Sequence, residues 1–202
     1  MTTILASLAP GRRTITAIMA QKSAHVRIMK KALDYLGRYA SSRYKLAQVL
    51  QHFAARKLVD YDPGDISAAI QHTLDQCTQF GYIDDRQFAV AKARSQRRLG
   101  RSEAAIRQKL RQHALDDAII CQALAEVDEA GVDGDLKAAI RFAQRRRLGP
   151  FSNRASESRQ HLDIQQLRQR DLGAMARAGF SVTISLKIIE SDDPDTIEAL
   201  LN

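Results

Sequence analysis

Residues 80–110, FGYIDDRQFAVAKARSQRRLGRSEAAIRQKL, join a helix start to the densest basic surface in the chain, and the segments on either side repeat their plan. Asp84 is placed to cap the helix that follows, its side-chain oxygen accepting from free N–H groups of the first turn, while Asp85 sits against the positive end of the helix dipole. Beyond them Phe88, Ala91, Ser95 and Leu99 recur at helical spacing as a modest apolar face. Arg94, Arg97, Arg98 and Arg101 gather on a neighbouring face, so one side is expected to pack and the other to meet an anion.

Toward the N-terminus, Ser23 suits the N-cap of a first helix with Ile28, Ala32, Tyr35, Leu36 and Tyr39 at three- and four-residue steps, and residues 1–22 read as a flexible basic tail. Ser41 or Ser42 caps a second helix with Leu46, Val49, Leu50 and Phe53 as its stripe. Pro63-Gly64 marks a break, after which Asp65 opens a third helix carrying Ile66, Ala69, Ile70, Thr73, Leu74 and Cys77. It closes before Gly81, which is suited to a left-handed C-terminal cap.

The central stretch restates this pattern. Leu99-Gly100-Arg101-Ser102 matches Tyr39-Ala40-Ser41-Ser42, and Ile106 and Leu110 stand where Leu46 and Leu50 stood, a displacement of about 60 residues. Asp116-Asp117 opens the next helix, with Ile119, Ile120, Ala123, Leu124 and Val127 on its stripe and Cys121 in a place like that of Cys77. After a break at Gly131 to Gly134, Leu136, Ala139, Ile140 and Ala143 begin another stripe that ends in Arg145-Arg146-Arg147 and is stopped by Gly149-Pro150. Residues 152–161 are polar and read as an exposed loop, and Leu167, Leu172 and Met175 predict a helix to Ala178 with Gly179 as terminator. Residues 180–188 alternate apolar and polar as a strand would, but a lone strand has no partner. The repeat instead makes Ser181 an N-cap, with Val182, Leu186 and Ile189 on one helical face, and Asp193-Pro194 opens a short terminal helix.

The expected fold is therefore all-α, an elongated array of three tandem three-helix repeats over residues 23–83, 84–131 and 132–202, each exposing an incomplete apolar face that its neighbour covers. Composition agrees: only 5% of the 202 residues are aromatic and Trp is absent, so a core must come from Leu, Ile, Val and Ala. No apolar run approaches the roughly 20 residues that cross a bilayer. Without an export signal, a cytoplasmic location, a monomer and no membrane partner are expected.

The motif Gly81-Tyr82-Ile83-Asp84-Asp85, then Phe88-Ala89, a basic helix, Gly100, and Ile106 with Leu110, resembles the centre of the RecX family. The resemblance runs from about Ile28 to Ser191, with Ala114 replacing a helix-ending glycine usual in the family and Gly179-Phe180-Ser181 a good match near the end. It implies a regulator of the recombinase RecA, lying along the groove of the RecA–DNA filament and restraining ATP hydrolysis, strand exchange and filament growth without making or breaking a bond.

The residues themselves point away from catalysis. Adjacent helical acids such as Asp84 and Asp85 diverge by about 100°, and Asp116-Asp117 recurs at a similar boundary, so both pairs read as helix starts. The histidines at 25, 52, 72, 113 and 161 make no metal-ligand spacing and no triad, so no metal site is expected. Cys77 and Cys121 form no C-x-x-C motif and are read as reduced core thiols. No phosphate loop of the G-x-x-x-x-G-K type is present, so no cofactor and no ATP hydrolysis by this chain are expected.

What remains is charge. Lys plus Arg number 31 against 23 acids, a formal charge of +8, and the arginines cluster on successive helices. Arg94, Arg97, Arg98 and Arg101 are the expected partner contacts, with Arg107, Arg111 and Arg145 behind them. Arginine forks suit phosphate and carboxylate equally, so nucleic acid, including weak direct DNA binding, and an acidic protein groove are both open.

Overall fold

The computed structural model describes residues 11–128, 134–152, 164–191 and 193–199, and all regular structure among them is helical. Residues 1–10 of the expected tail and most of the expected polar loop lie outside the described residues. The chain divides into two compact units, one to Asp85 and one from Arg86.

The first unit contains α1 (Gly11–Leu36), α2 (Arg43–Lys57) and α3 (Pro63–Gln79). The helix α1 starts at Gly11 rather than Ser23, so residues 11–22 of the expected tail are helical. Neither proline nor glycine occurs between Arg12 and Leu36, so nothing in the covalent chain obliges the helix to start later. Ser42 caps α2, its Oγ accepting from the Lys45 N–H at 3.2 Å. A second acceptor reaches the same turn: Asp85 Oδ1 takes the Arg43 N–H at 2.8 Å.

The Pro63-Gly64 pair is not a break before α3 but its first turn. Asp62 is the N-cap, with Oδ1 accepting from Gly64 N–H at 2.8 Å and Asp65 N–H at 3.1 Å, and proline at the first position loses no hydrogen bond there. The predicted stripes of α1, α2 and α3 meet in one core around Ile28, Leu46, Leu50, Leu58, Ile70, Leu74 and Cys77. Each such Leu or Ile contributes about 1.5–3 kcal/mol by leaving water. Burial also pushes the Cys77 thiol pKa up, which keeps it protonated.

In the second unit, α4 (Asp85–Arg98, its first residue belonging to the first unit), α5 (Glu103–Arg111) and α6 (Asp117–Val127) enclose a core of Ala89, Val90, Ala93, Ile106, Leu110, Ile120, Ala123 and Leu124. The packed face of α4 is therefore Ala89, Ala93, Gln96 and Arg97, about one residue's rotation from the face predicted by Phe88, Ala91, Ser95 and Leu99. Ala91 and Ser95 face solvent, and Leu99 is 51% exposed. The α6 stripe forms as expected, except that Cys121 is exposed rather than a core thiol.

The remainder comprises α7 (Gly134–Arg146), a 3-10 turn at Gly149–Phe151, α8 (Ile164–Arg177), α9 (Val182–Ile189) and α10 (Pro194–Glu198) around Ile140, Phe142, Met175, Phe180, Ile188 and Ile197. Residues 182–189 are helical, as the repeat requires, with Ser181 Oγ accepting from the Ile184 N–H. Their buried side is Ser185, Ile188 and Ile189, whereas Val182 is 70% exposed. Gly179 has φ +85°, and a Cβ there would lie 2.7 Å from Ser102 Oγ, which donates to the Ala178 carbonyl at 2.6 Å. Glycine therefore lets the end of α8 close on the start of α5.

Ala114, between α5 and α6, has φ +51°, a left-handed conformation that costs an L-residue about 1–2 kcal/mol. Ala114→Gly should relieve this, offset in part by the greater freedom of glycine in the unfolded chain, for a net gain of about 0.5–1 kcal/mol. Urea unfolding measures it, and a lower midpoint for the glycine variant would contradict the strain.

Candidate anion-facing surface

The predicted arginine cluster separates into a buried member and exposed ones. Arg97 is only 7% exposed, because its position on α4 faces the start of α7 and the end of α6. Its Nε and Nη2 form a two-pronged bond to the carboxylate of Asp128, Nη1 donates to Asp135 Oδ1 at 2.6 Å, and Nη1 also reaches the Arg101 carbonyl at 3.1 Å. Burial lowers the guanidinium pKa, but the hydrogen bonds and charges of Asp128 and Asp135 outweigh that, and the net shift is upward. Arg97 thus leaves the expected contact set: its donors are committed to the interior.

Asp135 does a second job. The same Oδ1 accepts the Glu103 N–H at 2.6 Å, beside the Ser102 cap of α5, repeating the pairing of Asp85 with Arg43 beside Ser42. One ion-pair cluster therefore fixes α4, α5, α6 and α7 together.

The other predicted arginines lie at the surface in different states. Arg94, Arg98, Arg101 and Arg145 are exposed. Arg107 is half-buried, with Nε donating to Glu103 Oε1 at 2.7 Å and Nη1 to Cys121 Sγ at 3.2 Å. Arg111 pairs with Asp117 at 3.0 Å, an exposed bridge of the kind that contributes little and can be exchanged for a partner.

A concavity of about 440 Å³ in the second unit gathers Arg101 and Arg146, both in basic runs evident from the sequence, with Arg170 and Arg177, which sequence reasoning passed over because the apolar spacing of their helix is weak. The concavity's apolar lining comes from Phe142, Leu148, Ala174 and Ala178. Among the described residues no three His, Cys, Asp or Glu side chains are grouped to hold a metal, and no helix is long and apolar enough to cross a membrane.

Helices tied together by a buried ion-pair cluster, with arginines exposed beside it, define the class as a helical scaffold. The comparisons narrow this. Residues 84–124 match the family model described as RecX, second three-helix domain. The regulatory protein RecX of Myxococcus xanthus (strain DK1622) is 32% identical over 163 residues, which cover 80% of this chain and 83% of that one. A crystal structure of regulatory protein RecX superposes with a TM-score of 0.67 at 17% identity, covering 93% of this chain and 81% of that one. The RecX structure from Lactobacillus salivarius gives 0.59 at 18%, covering 89% and 97%; at these identities both support the fold. The chain belongs to the RecX family of regulatory proteins.

The two arginine classes should respond oppositely to mutation. Arg97→Leu leaves Asp128 and Asp135 without their cation and should cost about 3–5 kcal/mol in urea unfolding. Arg94→Gln, on the exposed face, should stay within about 0.5 kcal/mol. Equal midpoints for the two variants would show that the Arg97 cluster does not hold the unit together.

Proposed function

We propose that this protein is a non-catalytic regulator of homologous recombination and DNA repair that binds the RecA filament on DNA and restrains its ATP hydrolysis, strand exchange and growth. The observation that carries this reading is the relationship to a RecX regulatory protein over four-fifths of the chain. The contact surface is assigned to Arg94, Arg98, Arg101 and Arg145, with Arg107 and Arg111 at its edge, because these guanidiniums reach solvent while Arg97 does not. Regulation of this kind requires tighter binding to one filament state than to another, since equal affinity for every state shifts nothing.

A second reading, a DNA-binding or architectural protein with no recombinase partner, is favoured by the formal charge of +8. It predicts tight binding to bare duplex with a steep salt dependence, whether or not RecA is present.

ATP turnover by preformed RecA filaments, titrated with this protein, separates the two. Turnover should fall as the protein is added, and Arg94→Glu with Arg98→Glu should raise the concentration for half-inhibition by about tenfold or more, equivalent to ~1.4 kcal/mol. Helicity and melting should not change. Turnover unaffected at saturating protein, together with strong binding to duplex alone, would favour the second reading.

A further inference from the structure

The concavity lined by Arg101, Arg146, Arg170 and Arg177 meets the exposed arginine face of α4 at Arg101 but gathers its other arginines from α7 and α8. It collects guanidiniums from three places in the second unit: the turn after α4, the last turn of α7 and both ends of a two-turn stretch of α8. The one carboxylate in its lining, Asp171, is 3% exposed and held inward. Its Oδ2 accepts the Gly149 N–H at 2.9 Å and its Oδ1 faces Nε and Nη2 of Arg170 at 3.3 Å. Asp171 therefore ties the turn after α7 to α8 and steadies Arg170, and the groove still carries an excess of positive charge. Arg146 lies with its guanidinium carbon 6.0 Å from the Phe142 ring centroid, at the reach of a cation–π contact.

We propose that this groove is a phosphate site that holds two or three adjacent phosphates. A carboxylate brings one charge and two oxygens and is satisfied by a single fork, as Arg170 is by Asp171, so the forks of Arg101, Arg146 and Arg177 around the same volume exceed what one more acidic side chain can use. Phosphates in series bring charge and acceptor oxygens along a line. Arg101, Arg146 and Arg177 supply such a line from three separate segments around the one concavity. Phe142 is 8% exposed, so the site offers little aromatic surface for stacking a base and reads phosphates rather than sequence. Such a run of phosphates comes either from a nucleic-acid strand or from the triphosphate of a nucleotide. The proposal extends beyond the recombinase reading and does not rest on it, because the site lies on this chain alone.

The test uses the full-length protein without recombinase, titrated by calorimetry with inorganic tripolyphosphate, ATP, orthophosphate, short oligothymidine and polyglutamate. Tripolyphosphate should bind, orthophosphate should bind far more weakly, and Arg146→Gln with Arg177→Gln should weaken the multiphosphate probes at least tenfold. Arg56→Gln, on the exposed side of α2, should change nothing. If oligothymidine competes with tripolyphosphate the source is a strand, and its salt slope should drop by about 1.4 in the double variant. If ATP competes and oligothymidine does not, the source is a nucleotide. Arg101→Gln supplies an independent variant should the double substitution lower the urea midpoint. Polyglutamate binding as tightly as tripolyphosphate, or phosphate binding that neither Arg101→Gln nor the double substitution alters, would overturn the proposal. Recombinase inhibition is read separately, so either conclusion can fail without the other.

Discussion

Arg97 and its two aspartates are the constraint on which the second unit depends. A guanidinium removed from water is tolerated only if its charge is matched and its N–H groups find acceptors, and here Asp128, Asp135 and the Arg101 carbonyl supply them. Those acceptors come from the end of α6, the first turn of α7 and the turn after α4. Satisfying one side chain thus sets where three helix ends must lie. It also fixes the rotation of α4, because Arg97 can face inward only if Ala89 and Ala93 do so too.

The same economy appears at the starts of α2 and α5. Each has a serine cap and an aspartate from a following helix, Asp85 for Arg43 and Asp135 for Glu103, accepting the first free N–H. A helix N-terminus leaves donors that must be paired when partly buried. In both places an acid in the first turn of one helix finishes the capping of the helix two before it, α4 for α2 and α7 for α5. That links sequence repetition to a physical device, since the Ser and the distant Asp must recur together. In the second unit, Gly179 adds a steric condition at the same place, admitting the Ala178 carbonyl to Ser102.

Function follows from what these constraints leave at the surface. With Arg97 held internally, Arg94 and Arg98 remain on the exposed side of α4, the side to which the proposed recombinase contact is assigned. The arginines around Phe142 line a concavity that shares Arg101 with that surface, and its charge stays positive because Asp171 matches only one of the four guanidiniums.

Much of this was legible in the sequence: the helical class, the caps at Ser42, Ser102 and Ser181, the glycine terminators and the motif around Asp84 and Phe88. These are local properties, set by backbone stereochemistry and side chains within a few residues. Periodicity failed on α4 because it counts any arginine as outward-facing, and a paired, buried Arg97 shifted the apparent face toward Leu99. It failed on Cys121 for the converse reason, since an apolar neighbourhood in sequence does not prevent a thiol from facing solvent beside Arg107. The groove could not be read at all, because Arg101, Arg146 and Arg177 are far apart along the chain and become neighbours only when α7 and α8 pack. Local chemistry determined where helices begin and end; the pairing of buried charge across long separations decided which of their faces became core, surface or site.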